Sequence, residues 1–128
     1  MNIDHIAIWT NDPERLKVFY VRFFGCKASE RYDNLKNQFS SYFLSFPSGA
    51  RIEIMKRNDI TETSDREKIG LAHFALCTGT SKDVDELTKR FEGEGIKILS
   101  YPRHTGDGYY ESVILDPDNN KIELISCS

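Results

Sequence analysis

Along this chain the apolar positions switch between two periods. Residues 3–9 (Ile3 to Trp9) are rich in β-branched side chains and suit a strand, which Thr10-Asn11-Asp12-Pro13 ends. Leu16, Phe19, Tyr20 and Phe23 then recur at the spacing of one helix face, until Gly25. Asn11 or Asp12 can cap that helix, Pro13 fits its first turn and Glu14 suits the positive end of its dipole, so a helix is predicted over 13–24. Strands are predicted over 27–32, 39–46 and 50–55, the last two joined by the turn Pro47-Ser48-Gly49. Residues 57–69 are polar and without period, as a linker is.

After the linker the order starts again. A strand is predicted over 71–78, then a helix over 81–92 with Val84, Leu87 and Phe91 on one side and Gly93 or Gly95 as its stop. Strands over 96–101, 109–115 and 121–126 follow, the final pair closed by a turn at 116–120. His5 and His73 are 68 positions apart, as are Arg22-Phe23-Phe24-Gly25 and Arg90-Phe91-Glu92-Gly93; Pro47 and Pro117, like Glu53 and Glu123, are 70 apart. Four matched landmarks in one order indicate a duplicated unit with one small insertion. The fold class predicted is α+β: one domain over 1–128, made of two tandem βαβββ modules (1–57 and 70–128) joined by a linker at 58–69.

Composition narrows the partners. The chain's 39% hydrophobic and 12% aromatic residues place it in the globular class, and a net charge of −3 argues against the clustered basic face that nucleic acid requires. No apolar run approaches a membrane span and the N-terminus lacks the pattern of a secretion signal, so a cytoplasmic protein is expected. Cys26, Cys77 and Cys127 are odd in number, widely spaced and without a Cys-x-x-Cys pair; they are expected to be reduced, structural thiols.

Glu53 stands between Ile52 and Ile54, and Glu123 between Ile122 and Leu124. Because a strand turns successive side chains to opposite faces, the aliphatics go to the core and each carboxylate goes alone to the other side. His5 and His73 begin the first strand of each module. Residues two apart on one strand are separated by almost ~7 Å, so a small ion must draw its ligands from different strands. These four residues satisfy that condition. Singly, each is an ordinary strand residue; a solvated face does not explain four at equivalent positions of two repeats. His5, Glu53, His73 and Glu123 are therefore candidate ligands of one divalent metal ion. Nitrogen and oxygen donors without thiolate favour zinc, nickel, cobalt, manganese or iron(II). Trp9 should share a strand face with His5. Arg103, His104, Tyr109, Tyr110 and Glu111 cluster around the turn Thr105-Gly106-Asp107-Gly108, and of these Arg103, His104 and Tyr110, with Trp9, are the candidate substrate contacts.

Asp4-His5-Ile6-Ala7-Ile8, Phe19-Tyr20, Phe24-Gly25, Ile52-Glu53, His73-Phe74-Ala75 and Leu115-Asp116-Pro117-Asp118 running on to Lys121-Ile122-Glu123-Leu124 resemble the glyoxalase and bleomycin-resistance proteins of the vicinal oxygen chelate superfamily. The resemblance covers essentially the whole chain. It implies two modules curled into a cup around one divalent ion, zinc or nickel foremost, with ligands matched here by His5, Glu53, His73 and Glu123. It also implies lyase or isomerase chemistry of the lactoylglutathione lyase type, through a metal-chelated enediolate, on a small oxygenated or thiol-conjugated substrate. Glu123, and after it Glu53, would move the proton. Where that enzyme type has an arginine and often an asparagine for glutathione, this chain has Trp9 and Arg57. Other readings are a metal-free drug-binding resistance module and an iron(II) ring-opening dioxygenase. A homodimer is expected, since open strand edges need covering.

Overall fold

The computed structural model describes residues 1–63 and 66–127. The first compact unit, Met1–Thr63, contains β1 (His5–Trp9), α1 (Pro13–Phe24), β2 (Lys27–Ala28), β3 (Tyr32–Asn34), β4 (Phe39–Ser45) and β5 (Arg51–Arg57). The second, Ser64–Ser128, contains β6 (Phe74–Gly79), α2 (Ser81–Gly93), β7 (Ile98–His104), β8 (Tyr110–Leu115) and β9 (Lys121–Ser126). Of the linker expected at 58–69, Ser64 and Asp65 lie outside the described residues. The second unit has the βαβββ order, the first has it with the strand after its helix divided into β2 and β3, and each forms one mixed sheet backed by one helix.

Local chemistry starts and stops each helix. Asp12 is the N-cap of α1, its carboxylate accepting from the Arg15 N–H at 3.0 Å, and Gly25 ends the helix at φ 65°, a conformation that glycine adopts without cost. Pro13, Leu16, Phe19, Tyr20 and Phe23 form its buried side. In α2 the Thr80 hydroxyl and the Asp83 carboxylate make a reciprocal capping box. Its buried residues are Val84, Thr88 and Phe91, so Thr88 occupies the place in the stripe expected of Leu87. Thr88 is acceptable there because its hydroxyl is bonded to the Val84 carbonyl at 2.6 Å and to the Ser112 hydroxyl at 2.7 Å.

The strand orders are β1-β5-β4-β2, with β3 also on β4, and β6-β9-β8-β7. In each unit the first and last strands are thus parallel neighbours. The strand expected over 27–32 is split into β2 and β3. Between them the Ser29 hydroxyl accepts from the Phe43 N–H at 2.9 Å, and its own N–H donates to the Phe43 carbonyl at 2.8 Å. Ile52 and Ile54 on β5, and Ile122 and Leu124 on β9, are at most 2% exposed and lie on the helix side of their sheets. Glu53 and Glu123, between them, take the other face.

The expectation of three reduced thiols is corrected for two of them. Cys77 and Cys127 are joined by a disulfide, whereas Cys26 is free and buried. Fifty positions separate the pair in sequence. The parallel β6–β9 pairing sets Cys77 opposite Ile125, and the Cys127 N–H bonds to the Gly79 carbonyl, so proximity comes from a long-range register that cysteine spacing does not reveal. Among the described residues no helix is long and apolar enough to cross a membrane.

Candidate functional site

In the first unit the sheet face away from α1 carries His5, Ala7 and Trp9 from β1, Arg51, Glu53, Met55 and Arg57 from β5, and Phe39, Ser41 and Phe43 from β4, as their register requires. Glu53 pairs in register with Ala7, two residues beyond His5, and its Oε1 lies 3.6 Å from His5 Nε2. Two further groups hold the imidazole, and a third holds them. Asp4 Oδ2 is 2.8 Å from its Nδ1, Phe43 meets it edge-on at 5.2 Å, and Arg51 ties Asp4 down at 2.7 Å while lying over the Phe43 ring. The hydrogen bond to His5, followed by that to Arg51, holds the Asp4 carboxyl below its ordinary range. A carboxylate on Nδ1 keeps the proton there and leaves the Nε2 lone pair facing Glu53, which is how a metal-binding histidine is commonly oriented.

The second unit repeats the arrangement. Glu123 pairs in register with Ala75, and its Oε1 lies 3.0 Å from His73 Nε2. His73 was expected within the strand; it precedes β6 by one residue. The turn ahead of β9 sets the position of Glu123. The Asp116 carboxylate, 4% exposed, accepts from the N–H groups of Asp118 and Asn120 at 2.8 and 2.9 Å and from the Asn120 side chain at 2.8 Å.

The two units also correspond four residues further along each strand. Arg57 lies over the Trp9 ring at 5.0 Å, at positions equivalent to the Cys77–Cys127 disulfide. One diagonal rule, from a residue on the first strand to the residue two past its register partner on the last, generates all four contacts: His5 with Glu53, Trp9 with Arg57, His73 with Glu123, Cys77 with Cys127. Trp9 therefore stands on the His5 face as expected, edge-on to Phe39 at 6.4 Å, and Arg57 is committed to Trp9 and Asp59.

The cluster around the 105–108 turn is divided between faces. Arg103 pairs with Glu111, and Glu111 shares the face of Glu123; His104 pairs with Tyr110 on the face toward α2, where the Tyr110 hydroxyl donates to Asp85 at 2.6 Å and the two rings meet at a tilt of 56°, 4.9 Å apart. The structure thus brings Arg103 to the His73–Glu123 side and sends His104 and Tyr110 to the other. Strand β7 shifts register against β8 twice, between Ile98 and Ser100 and again between Ser100 and Arg103, so Ile98 and Ser100 take opposite faces while Ser100 and Arg103 take the same one. Glu111 is 7% exposed; burial first, and Glu123 second, push its carboxyl above its usual range, with Arg103 opposing. Asp4 and Arg51 were not singled out as site residues. The position of Asp4, next to a candidate ligand, was the available signal.

Among the described residues no group of three or more His, Cys, Asp and Glu side chains forms a metal-holding cluster. What each unit presents is a pair, one imidazole nitrogen facing one carboxylate oxygen.

Residues 2–124 match the Glyoxalase/Bleomycin resistance protein/Dioxygenase superfamily. The chain is 28% identical to glyoxalase I of Saccharomyces cerevisiae over 98% of its own length and 45% of that protein. It is 35% identical to the uncharacterized Bacillus subtilis protein YqjT, over 49% of this chain and 52% of that one. It therefore spans about half the length of either relative, whereas it covers 94% of a second uncharacterized B. subtilis protein, YwkD, at 29% identity over 96% of this chain. Among solved structures, glyoxalase I from Zea mays matches with a TM-score of 0.78 at 24% identity, over 99% of this chain and 45% of that one. A glyoxylase/bleomycin resistance protein/dioxygenase domain from Frankia matches with a TM-score of 0.85 at 17% identity, over 100% and 98%. At these identities the structural likeness speaks for the fold. With a match to the family over nearly the whole chain and the fold to go with it, the chain belongs to the glyoxalase/bleomycin resistance protein/dioxygenase superfamily.

Proposed function

We propose that the protein is a divalent-metal-dependent enzyme of the glyoxalase type, carrying out lyase or isomerase chemistry on a small oxygenated or thiol-conjugated substrate. The observation behind this reading is the pair built twice, His Nε2 to Glu Oε1 at 3.6 and 3.0 Å, on parallel neighbouring strands. The donors fit such an ion. Two imidazoles and two carboxylates suit zinc or nickel, and Asp4 sets the tautomer that a ligating His5 needs. His5, Glu53, His73 and Glu123 would hold the ion, and when bound it would supply Lewis-acid polarisation of a substrate carbonyl.

The chain's own residues supply the rest. Glu123 and Glu53 have side chains only 21% and 16% exposed, and either carboxylate can accept a proton from one substrate carbon and return it to the next. Glu123 takes that role first in this reading. Trp9 and Phe39 offer an apolar wall on the His5 face. Because Trp9 and Arg57 are engaged with each other, glutathione-dependent turnover of methylglyoxal should be slow. The working form is proposed to be a homodimer; light scattering that shows only monomer at micromolar concentration would contradict it.

The test is a panel on zinc- or nickel-loaded protein comparing glutathione, other small thiols and 2-oxo acids, with Glu123→Gln as the control. Full glutathione-dependent activity would overturn the reading of Trp9 and Arg57, and unchanged turnover in Glu123→Gln would remove that carboxylate from its role. A second reading, metal-free sequestration of an apolar molecule, is favoured by the row Trp9, Phe39 and Tyr32, with Trp9 39% and Tyr32 55% exposed. Metal content separates the two.

A further inference from the structure

One buried charge on the Glu123 side has no part in the proposed ligand set. Glu111 is 7% exposed, and a carboxylate is rarely kept that far from water without a task or a partner. Its partner is Arg103, whose Nη2 lies 3.6 Å from Glu111 Oε1 while Nη1 donates to the Ser100 hydroxyl at 2.7 Å. An ion pair this long, with the arginine side chain 49% exposed, adds little to stability. Stability therefore does not account for burying the acid.

Placement suggests what does. The second register shift in β7, between Ser100 and Arg103, brings these two to the same face although they are three residues apart, and there they meet Val113 and Glu111 of β8. Val113 is in turn the register neighbour of Glu123. Glu111 is the register partner of Arg103 and stands two residues from Val113 on the same face, so it lies between the guanidinium and Glu123. With Glu111, Glu123 and Asp107 this edge of the sheet is acidic, and an anionic substrate would be repelled without a cation there. Arg103 is that cation. Two contacts leave most of its five N–H donors free, and their fork matches the two oxygens of a carboxylate.

We propose that Arg103, positioned by Glu111 and Ser100, recognises a carboxylate on the substrate, so that the substrate is a small 2-oxo or 2-hydroxy acid whose acid group points toward β7. The inference rests on the ligand set proposed above. Ser100 and Glu111 act through Arg103 as positioning residues, and a charge-assisted, two-point contact makes the acid group worth about tenfold in affinity.

Two hydroxamates with the same chelating head test it: acetohydroxamate, which carries no acid, and N-hydroxyoxamate, which adds a carboxylate. Each is titrated calorimetrically into zinc-loaded protein whose zinc content is measured on the same sample. N-hydroxyoxamate should bind about tenfold more tightly. That preference should vanish in Arg103→Gln, fall in Glu111→Gln and return in part in Arg103→Lys, while acetohydroxamate binds all four proteins alike, which also shows that the variants are folded. Equal binding of the two ligands by zinc-containing wild type, or a preference that survives in Arg103→Gln, overturns the carboxylate site and leaves the ligand set standing. Protein that takes up no zinc overturns both.

Discussion

Replacing Asp4 with alanine asks whether the first unit is built to present an imidazole nitrogen. Asp4 Oδ2 lies at hydrogen-bond distance, 2.8 Å, from His5 Nδ1 and accepts from an Arg51 N–H at 2.7 Å. Without it the ring can turn and the Nδ1 tautomer is no longer favoured. Losing such a partner typically weakens metal binding by about 10- to 100-fold. Here the Asp4 side chain is 71% exposed, so water takes over part of the lost contact, and the lower end, about tenfold, is expected. Asp4→Asn keeps an acceptor for the Nδ1 proton but loses its charge, and should cost less, about threefold. Arg51→Gln frees Asp4 without removing it and should cost least. Zinc affinity is read by competition with a chromophoric chelator, with circular dichroism as the control for folding. An Asp4→Ala affinity within about twofold of wild type would refute the reasoning that Asp4 orients His5 for a metal.

The other expectations concern the scaffold. Ile122→Ala empties a fully buried position between α2 and its sheet and should cost about 3 kcal/mol in urea unfolding, whereas Ser112→Ala, which leaves Thr88 bonded to Val84, should cost about 1 kcal/mol. Cys127→Ser opens the disulfide; with 50 positions between the cysteines, loop entropy sets an upper bound of about 4 kcal/mol on the loss, and the variant should no longer respond to reductant. The Tyr42 hydroxyl, then Lys17, hold the Glu14 carboxyl down from 4.5 to about 2. A lowered carboxyl pKa stabilises the fold above the unfolded value and ceases to do so as pH falls through the folded one. The contribution should therefore be present above pH 4.5 and disappear toward pH 2, and Glu14→Gln should flatten that limb by about 1 kcal/mol, discounted because the side chain is 51% exposed.

Most of the fold could be read from local pattern because each unit states its plan locally. Asp12, Pro13 and Gly25 bracket α1, and the aliphatics around Glu53 and Glu123 fix which face each carboxylate takes. The offset between the repeats aligned His5 with His73 and Glu53 with Glu123, and in both units the structure sets the histidine beside the glutamate. What could not be read depends on register between strands far apart in sequence. Two register shifts in β7, between Ile98 and Ser100 and between Ser100 and Arg103, accompany the pairing that sets Arg103 on the Glu123 side and His104 on the helix side, and the sequence around them does not announce either shift. The Cys77–Cys127 bond has the same origin: four positions past His73 and Glu123, the parallel pairing that joins those two also joins the cysteines. Thr88 displaced Leu87 from the buried stripe because a hydroxyl partner, Ser112, waits on β8.

Metal content tests the central claim most directly. Protein purified without chelator, exchanged into metal-free buffer and titrated with zinc or nickel should retain about one ion per His5, Glu53, His73 and Glu123 set, and His5→Ala and His73→Ala should each abolish that binding while leaving the circular dichroism unchanged. Wild-type protein that holds no divalent ion, or histidine variants that bind as wild type does, would contradict the account.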